Sequence, residues 1–325
     1  MGRHRRLLHD LLAHLYEIDG WWYLVMAEGG TERGHCVSVA RSRRPDGPFE
    51  GHPDNPLLSA RSTDRVVQNT GHGDLVRAPD GSWLLVLLGM RTRGATRGFS
   101  PMGRETFATP VAWADGWPSF APVELSEPDE PVRRVITFAG ALGPEWLSVR
   151  RFPTDLADLT AAPGRLLLHG EGTGLDHPRP VFVGIRQAHF RARFAAVVDA
   201  ASGLGGLGLR YDEVHHYDIE VDATTVRARA RLSGIDQEWT TSAPTGPVTL
   251  WIETAPVEGG MFESMSSDTI RLGFDGPDGP TTLAVLDGRY LTAETTASFA
   301  GRVVGVYAVD GTFAVDSFTY TGTDA

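Results

Sequence analysis

Between residues 16 and 27 the chain reads YEIDGWWYLVMA: a strand, an Asp-Gly pair, then a second, strongly apolar strand. An Asp-Gly pair supplies the positive φ that a two-residue hairpin turn demands, so this spacing predicts a β-hairpin. The plan returns from Asp74 to Leu88, as DLVRA, then Pro79-Asp80-Gly81, then SWLLVLL, and Val37 to Arg41 (VSVAR) alternates as a strand does. Recurring hairpins rich in Trp and Tyr suggest the blades of a propeller. With 38 Gly and 21 Pro scattered through 325 residues, every apolar segment is short. No long amphipathic helix is visible; Leu7 to Leu15 and Asp155 to Leu159 are the only helical hints.

Ser126 to Pro131 (SEPDEP) is polar and Pro-flanked, which suggests a linker. Beyond it the expected strands are Gly164 to His169, Phe190 to Val198, Gly206 to Tyr211, His216 to Val221, Thr225 to Leu232, Val248 to Glu253, Thr269 to Phe274, Thr282 to Leu286, Val303 to Ala308 and Phe313 to Tyr320. Short, evenly spaced, β-branched segments with Gly, Asp and Pro between them form a β-sandwich pattern. The expected division is therefore 1–125, a linker over 126–131, and a sandwich over 132–325.

The formal net charge of −11 argues against a nucleic-acid partner, which needs a basic face. All 30 basic residues are Arg, and Cys36 is the single cysteine, so no internal disulfide can form. Arg3, Arg5 and Arg6 precede a Leu-rich stretch, but His9, Asp10 and His14 interrupt it and no small-residue cleavage site follows. No segment has the length a membrane span needs. The expectation is a soluble, cytoplasmic protein.

Gly203-Leu-Gly205-Gly-Leu-Gly208 matches a dinucleotide fingerprint, but the following LRYDEVHHYDIEVD reads as strands where that motif needs a helix. A Gly-rich bend between sandwich strands is the expected alternative. His215 and His216 are adjacent, so in a strand they face opposite sides and make poor joint metal ligands. No CxxC, HExxH or G-x-S-x-G occurs.

Glu28 ends the apolar WWYLVMA segment and is followed by Gly29-Gly30. A carboxyl at the end of a buried strand is expected to be partly desolvated, which favours the protonated form that glycosidic-bond cleavage requires of its acid. The two glycines would leave room for a substrate; a solvated turn Glu is the plain alternative. His72, between Gly71 and Gly73, could bridge a carboxylate and a sugar hydroxyl or be a structural histidine. Arg104, in GRET, could bind sugar hydroxyls through its fork of donors or form an ion pair with Glu105 or another acid.

Taken in order, YEIDGWWYLVMAEGGTERGHCVSVARSRRPDGPFEGHPDNPLL, QNTGHGDLVRAPDGSWLLVLLG and GRETFATPVAWADGWP resemble glycoside hydrolase family 43, the β-xylosidase and α-L-arabinofuranosidase group. ALGPEWLSVR, LRYDEVHHYDIEV and LDGRYLTAETTASFAGRVVGVYA are similar to the concanavalin-like sandwich attached to such xylosidases. The resemblance implies an all-β chain, an incomplete five-bladed β-propeller followed by a concanavalin-like β-sandwich. It implies that Glu28 is the general acid, that His72 lies at the propeller centre, and that Arg104 lines the sugar subsite. Phe299 is the aromatic that the sandwich would lend to the rim.

The same resemblance implies an inverting hydrolase of xylosidic or arabinosidic bonds in hemicellulose oligosaccharides. No cofactor is implied; a calcium ion is allowed without assigned ligands. The family's base Asp and acid-tuning Asp stand in earlier blades, and resemblance begins only near Leu15. The expectation is thus that the base-bearing segment is a missing N-terminal partner and that this chain alone has little or no activity. Asp10, Asp19 and Asp74 are the acids near the motifs, and none sits in a family base motif. Two other readings stay open: a non-catalytic carbohydrate-binding sandwich protein, and a decayed reading frame.

Overall fold

The computed structural model describes residues 13–94, 98–126, 130–257, 265–277, 279–296 and 298–324. They form two compact units, one of residues up to 92 with 104–126, the other of 93–103 with the residues from 127 onward.

The first unit contains two antiparallel sheets. One comprises β1 (Ala13–Ile18), β2 (Trp21–Glu28), β3 (Cys36–Ser42), β4 (Glu50–Gly51) and β5 (Leu58–Ser59); the other comprises β6 (Val67–Arg77), β7 (Trp83–Arg91), β8 (Glu105–Ala114) and β9 (Trp117–Phe120). The β1–β2 hairpin closes through Asp19 and Gly20 at φ 49° and 73°, the pair of positive φ values its two-residue turn requires. Asp115-Gly116, at φ 51° and 71°, closes β8 onto β9 in the same way. Around Asp80-Gly81 the connection is longer, and only Gly81 takes positive φ.

Alternation along β2 buries Tyr23, Val25 and Ala27. Tyr23 and Val25 join Val37, Val39, Leu75, Leu85 and Leu87 in one core shared by both sheets. Arg41 clamps the rim: its guanidinium lies 4.4 Å from the Trp21 ring and 4.0 Å from the Trp117 ring, and it donates to the carbonyls of Asp115 (3.0 Å) and Gly116 (2.7 Å).

The second unit is a sandwich. Its strands are β10 (Val132–Ile136), β11 (Leu166–His169), β12 (Val181–Arg186), β13 (Arg191–Asp199), β14 (Gly203–Asp212), β15 (His215–Val221), β16 (Thr225–Leu232), β17 (Ile235–Ser242), β18 (Val248–Ala255), β19 (Thr269–Gly276), β20 (Gly279–Asp287) and β21 (Val303–Thr323). The 21-residue β21 belongs to both layers. Its first half pairs with β12 and β14, extending through β15 to β17; its second half pairs with β10, β11 and β13, extending through β18 to β20. The all-β expectation holds, with propeller-like sheets preceding a concanavalin-like sandwich.

Several local expectations need correction. The expected helix over Leu7 to Leu15 is strand from Ala13 on, where β1 pairs with β2; its earlier part, with Asp10, lies outside the described residues. Around Asp155 there is only a single 3-10 turn, Pro153–Asp155, after which the backbone returns to strand-like pairing between Asp158 and Leu167. The Gly203–Gly208 segment is no bend but the first part of β14. A Cβ on Gly205 would stand 2.3 Å from the Tyr307 carbonyl oxygen, and one on Gly206 2.2 Å from that of Ile219, so glycine is required by close strand packing.

Candidate functional site

Glu28 is the last residue of β2, opposite Cys36 on β3. Because Ala27 and Val25 point into the core, Glu28 takes the other face and is exposed. The expected desolvation of its carboxyl is therefore not found: the strand's apolar burial belongs to its alternate residues. Burial pushes the Cys36 thiol above its usual value, with the nearby Glu28 charge adding to it. The two glycines after Glu28 also have a different reason from the expected one. Gly29 sits at φ +78°, and a Cβ there would be 1.9 Å from the Gly34 carbonyl oxygen, so it lets the loop close on itself.

That loop contains His35 and accepts a hydrogen bond from Arg104, which stands just before β8. Arg104 Nη2 donates to the Thr31 carbonyl at 3.4 Å, burial lowers its pKa and Glu32 opposes the shift. Glu105 pairs instead with Arg91 at 2.9 Å. His35, 4% exposed, packs its ring on Gly71, where a Cβ would be 2.1 Å from Cδ2. Burial lowers the His35 pKa, and the Arg104 and His72 charges act in the same direction. The backbone of Gly30 and Glu28 pulls the other way, although neither ring nitrogen reaches hydrogen-bond geometry with a partner.

His72, half-buried in an irregular stretch of β6, has φ 54° and lies 5.9 Å from the His14 ring. His14 Nδ1 stands 3.0 Å from Asp74 Oδ1, which also accepts from Tyr16 OH at 2.9 Å. Tyr16 OH in turn accepts from the Leu75 amide at 3.1 Å. Burial and Asp74 push the Tyr16 phenol up to about 12.

The structure thus links the Glu28 loop to Arg104 by a hydrogen bond and to the Gly71-His72 backbone through His35. Phe299 is 60% exposed and belongs to the sandwich unit. His35 and Tyr16 were missed by sequence reasoning. His35 stands seven residues beyond the end of the apolar strand, and only the missing side chain of Gly71 signals where its ring goes. Among the described residues no group of three or more His, Cys, Asp or Glu side chains is placed to hold a metal ion. No helix there is long and apolar enough to cross a membrane.

Two Trp-rich propeller-like sheets with a strand-end carboxylate, joined in sequence to a β-sandwich, define a two-part all-β architecture. The profile of glycosyl hydrolases family 43 matches residues 13–118, and that of the beta xylosidase C-terminal concanavalin A-like domain matches 136–321. The chain belongs to glycosyl hydrolase family 43.

A non-reducing end alpha-L-arabinofuranosidase of Bacteroides ovatus is 30% identical over 321 residues, covering 91% of this chain and 58% of the relative. A beta-xylosidase of Bacillus subtilis is 32% identical over 210 residues, 56% of this chain and 39% of the relative. The chain therefore spans less than two thirds of the length of these relatives. The solved structure of the Bacteroides ovatus xyloglucan PUL GH43B matches with a TM-score of 0.82 at 29% identity, over 95% of this chain and 65% of the other. A xylan beta-1,4-xylosidase from Bacillus halodurans shares the fold, with a TM-score of 0.80 at 24% identity, over 95% of this chain and 64% of the other.

Proposed function

We propose that this chain carries the acid-bearing part of a glycosidase that cleaves xylosidic or arabinosidic bonds of hemicellulose oligosaccharides with inversion. The observation that supports this most is the exposed strand-end carboxyl of Glu28, whose following loop is tied to Arg104 and braced by His35 against Gly71-His72. The names of the matched relatives point to the same chemistry. Glu28 would protonate the leaving oxygen, Arg104 and His72 would bind sugar hydroxyls, and Phe299 would contribute an aromatic face. No cofactor is invoked, and calcium is left without ligands.

Inversion needs a second carboxyl about 6.5–9.5 Å from the acid, with water between. Asp19 fails on distance: β2 has eight residues, and at ~3.3 Å per residue the turn is roughly 25 Å from Glu28. Asp74 is engaged by Tyr16 and His14. The reading therefore assigns the base to a partner propeller segment and gives this chain little turnover by itself. The domain division 1–125, 126–131 and 132–325 and a cytoplasmic location, with neither nucleic acid nor membrane as partner, belong to the same reading.

Hydrolysis of p-nitrophenyl β-D-xyloside and α-L-arabinofuranoside tests it. Glu28→Gln should lower whatever turnover is measured by roughly 10²–10⁴-fold, the range for acid-base assistance. Turnover that survives the substitution removes Glu28 from the mechanism.

A further inference from the structure

The outer face of one sandwich layer collects positive charge on a chain of net charge −11. Arg133 on β10 stands opposite Thr321 on β21, Thr321 opposite Arg193 on β13, Arg193 opposite Glu253 on β18, and Glu253 opposite Arg271 on β19. Directly opposed residues project to the same side of a sheet. The five therefore form one row, which at ~4.8 Å between strands runs roughly 19 Å. Arg191 adds a fourth guanidinium on the same face, two residues before Arg193 and opposite Thr323. These residues line a groove of about 500 Å³, within the usual range for small-ligand sites.

The centre of the row is rigid and its flanks are open. Arg193 pairs with Glu253 and lies 3.7 Å from Asp275. Its guanidinium sits 4.7 Å over the Trp251 ring, which rests on Gly273, where a Cβ would be 2.2 Å from Cζ2. Arg133, Arg191 and Arg271 are exposed and make no ion pair among the described residues. Two carboxylates thus face four guanidiniums, and both are engaged by Arg193. An unneutralised set of guanidiniums on a rigid sheet favours a ligand that brings carboxylates, which the guanidinium fork grips through two parallel hydrogen bonds. Thr321 and Glu253 supply hydroxyl and carboxylate partners for the neutral hydroxyls of the same ligand.

We propose that this groove binds an acidic oligosaccharide, one whose sugars carry uronic-acid carboxylates. The sugar part rests on the carbohydrate reading above; the anion part stands on the groove alone. Titration calorimetry of the whole chain would use a glucuronate-substituted xylo-oligosaccharide, its unsubstituted counterpart and inorganic phosphate as probes. The acidic oligosaccharide should bind at least about tenfold more tightly than the neutral one, as expected for charge-assisted pairs. The Arg133→Gln/Arg271→Gln double variant should remove that advantage, Arg191→Gln should remove part of it, and added salt should weaken it.

Equal thermal unfolding of the variants checks that the sheet is intact. Equal binding of neutral and acidic sugars, or acidic binding unmoved by both variants, overturns the proposal. Full displacement by equimolar phosphate also overturns it, because it reduces the groove to a general anion patch. Glu28→Gln tests the glycosidase reading and should leave groove binding unchanged, so the two readings fail separately.

Discussion

The two units handle ionisable side chains in opposite ways. Around the candidate site the charges stand at strand ends and in irregular backbone. Glu28 is exposed, His72 is half-buried, and His35 is buried with neither ring nitrogen hydrogen-bonded. In the sandwich interior the buried charges are paired. His216 Nδ1 lies 2.6 Å from Asp218 Oδ1, and Tyr307 OH donates to Asp218 at 2.9 Å and Glu220 at 3.0 Å. Arg227 stands 2.8 Å from Glu220.

Burial by itself would raise the Asp218 pKa, but the His216 hydrogen bond and the His216 and Arg229 charges hold it below the usual range. Arg302, 0% exposed, donates to Asp268 at 2.5 and 2.8 Å, to the Leu291 carbonyl at 2.8 Å and to the Gly288 carbonyl at 2.6 Å. A closed polar network specifies one packing of a scaffold, whereas groups left open keep their valences for a ligand.

Asp268→Ala presses the difference hardest. It strands the buried Arg302 guanidinium and should cost the sandwich about 3–5 kcal/mol in urea unfolding. A loss under 1 kcal/mol would mean that the pair is not sealed as described. In the first unit, Arg41→Met removes a half-buried clamp on Trp21 and Trp117 and should cost only about 1–2 kcal/mol, read from the same unfolding curves. A cost equal to that of Asp268→Ala would erase the contrast.

Acid separates the units by sign. His35 is lowered from 6.5, so its contribution is present above that value and lost as pH falls through the lowered folded value. Glu220 is raised from 4.5 by burial and by Asp218, so its contribution is present below 4.5, lost as pH rises through the raised folded value, and regained on acidification. From neutral pH to about pH 5, hydrogen exchange corrected for its intrinsic rate should quicken in β2 and β3 while β15 holds or gains protection. His35→Phe should flatten the first trend. Parallel loss in both units would break the comparison.

Most strands were legible because alternation and turn chemistry are local. Asp19-Gly20 fixes its hairpin whatever surrounds it, and Thr225 to Leu232 is β16 to the residue. What was lost depended on partners. β17 reads IDQEWTTS and faces outward almost throughout, so it shows no apolar alternation; it is a strand because β16 pairs with it. The expected strands Val303 to Ala308 and Phe313 to Tyr320 are halves of β21, made continuous by strands on both sides of Asp310-Gly311. In the candidate site, long ordered segments pointed to Glu28, His72 and Arg104. The exposure of Glu28 and the place of His35 escaped, since each depends on which face of a strand meets the core.

Local chemistry along the chain settled the strand-and-turn grammar, the all-β class and the residue types at the candidate site, because dihedral preference and period-two patterning act within a few residues. Tertiary structure alone decided that β21 serves both layers, that Gly203–Gly208 lies within a strand, and that arginines from three strands far apart in sequence line one groove. Those outcomes follow from long-range strand pairing, which sets burial and juxtaposition and which no short window of sequence contains.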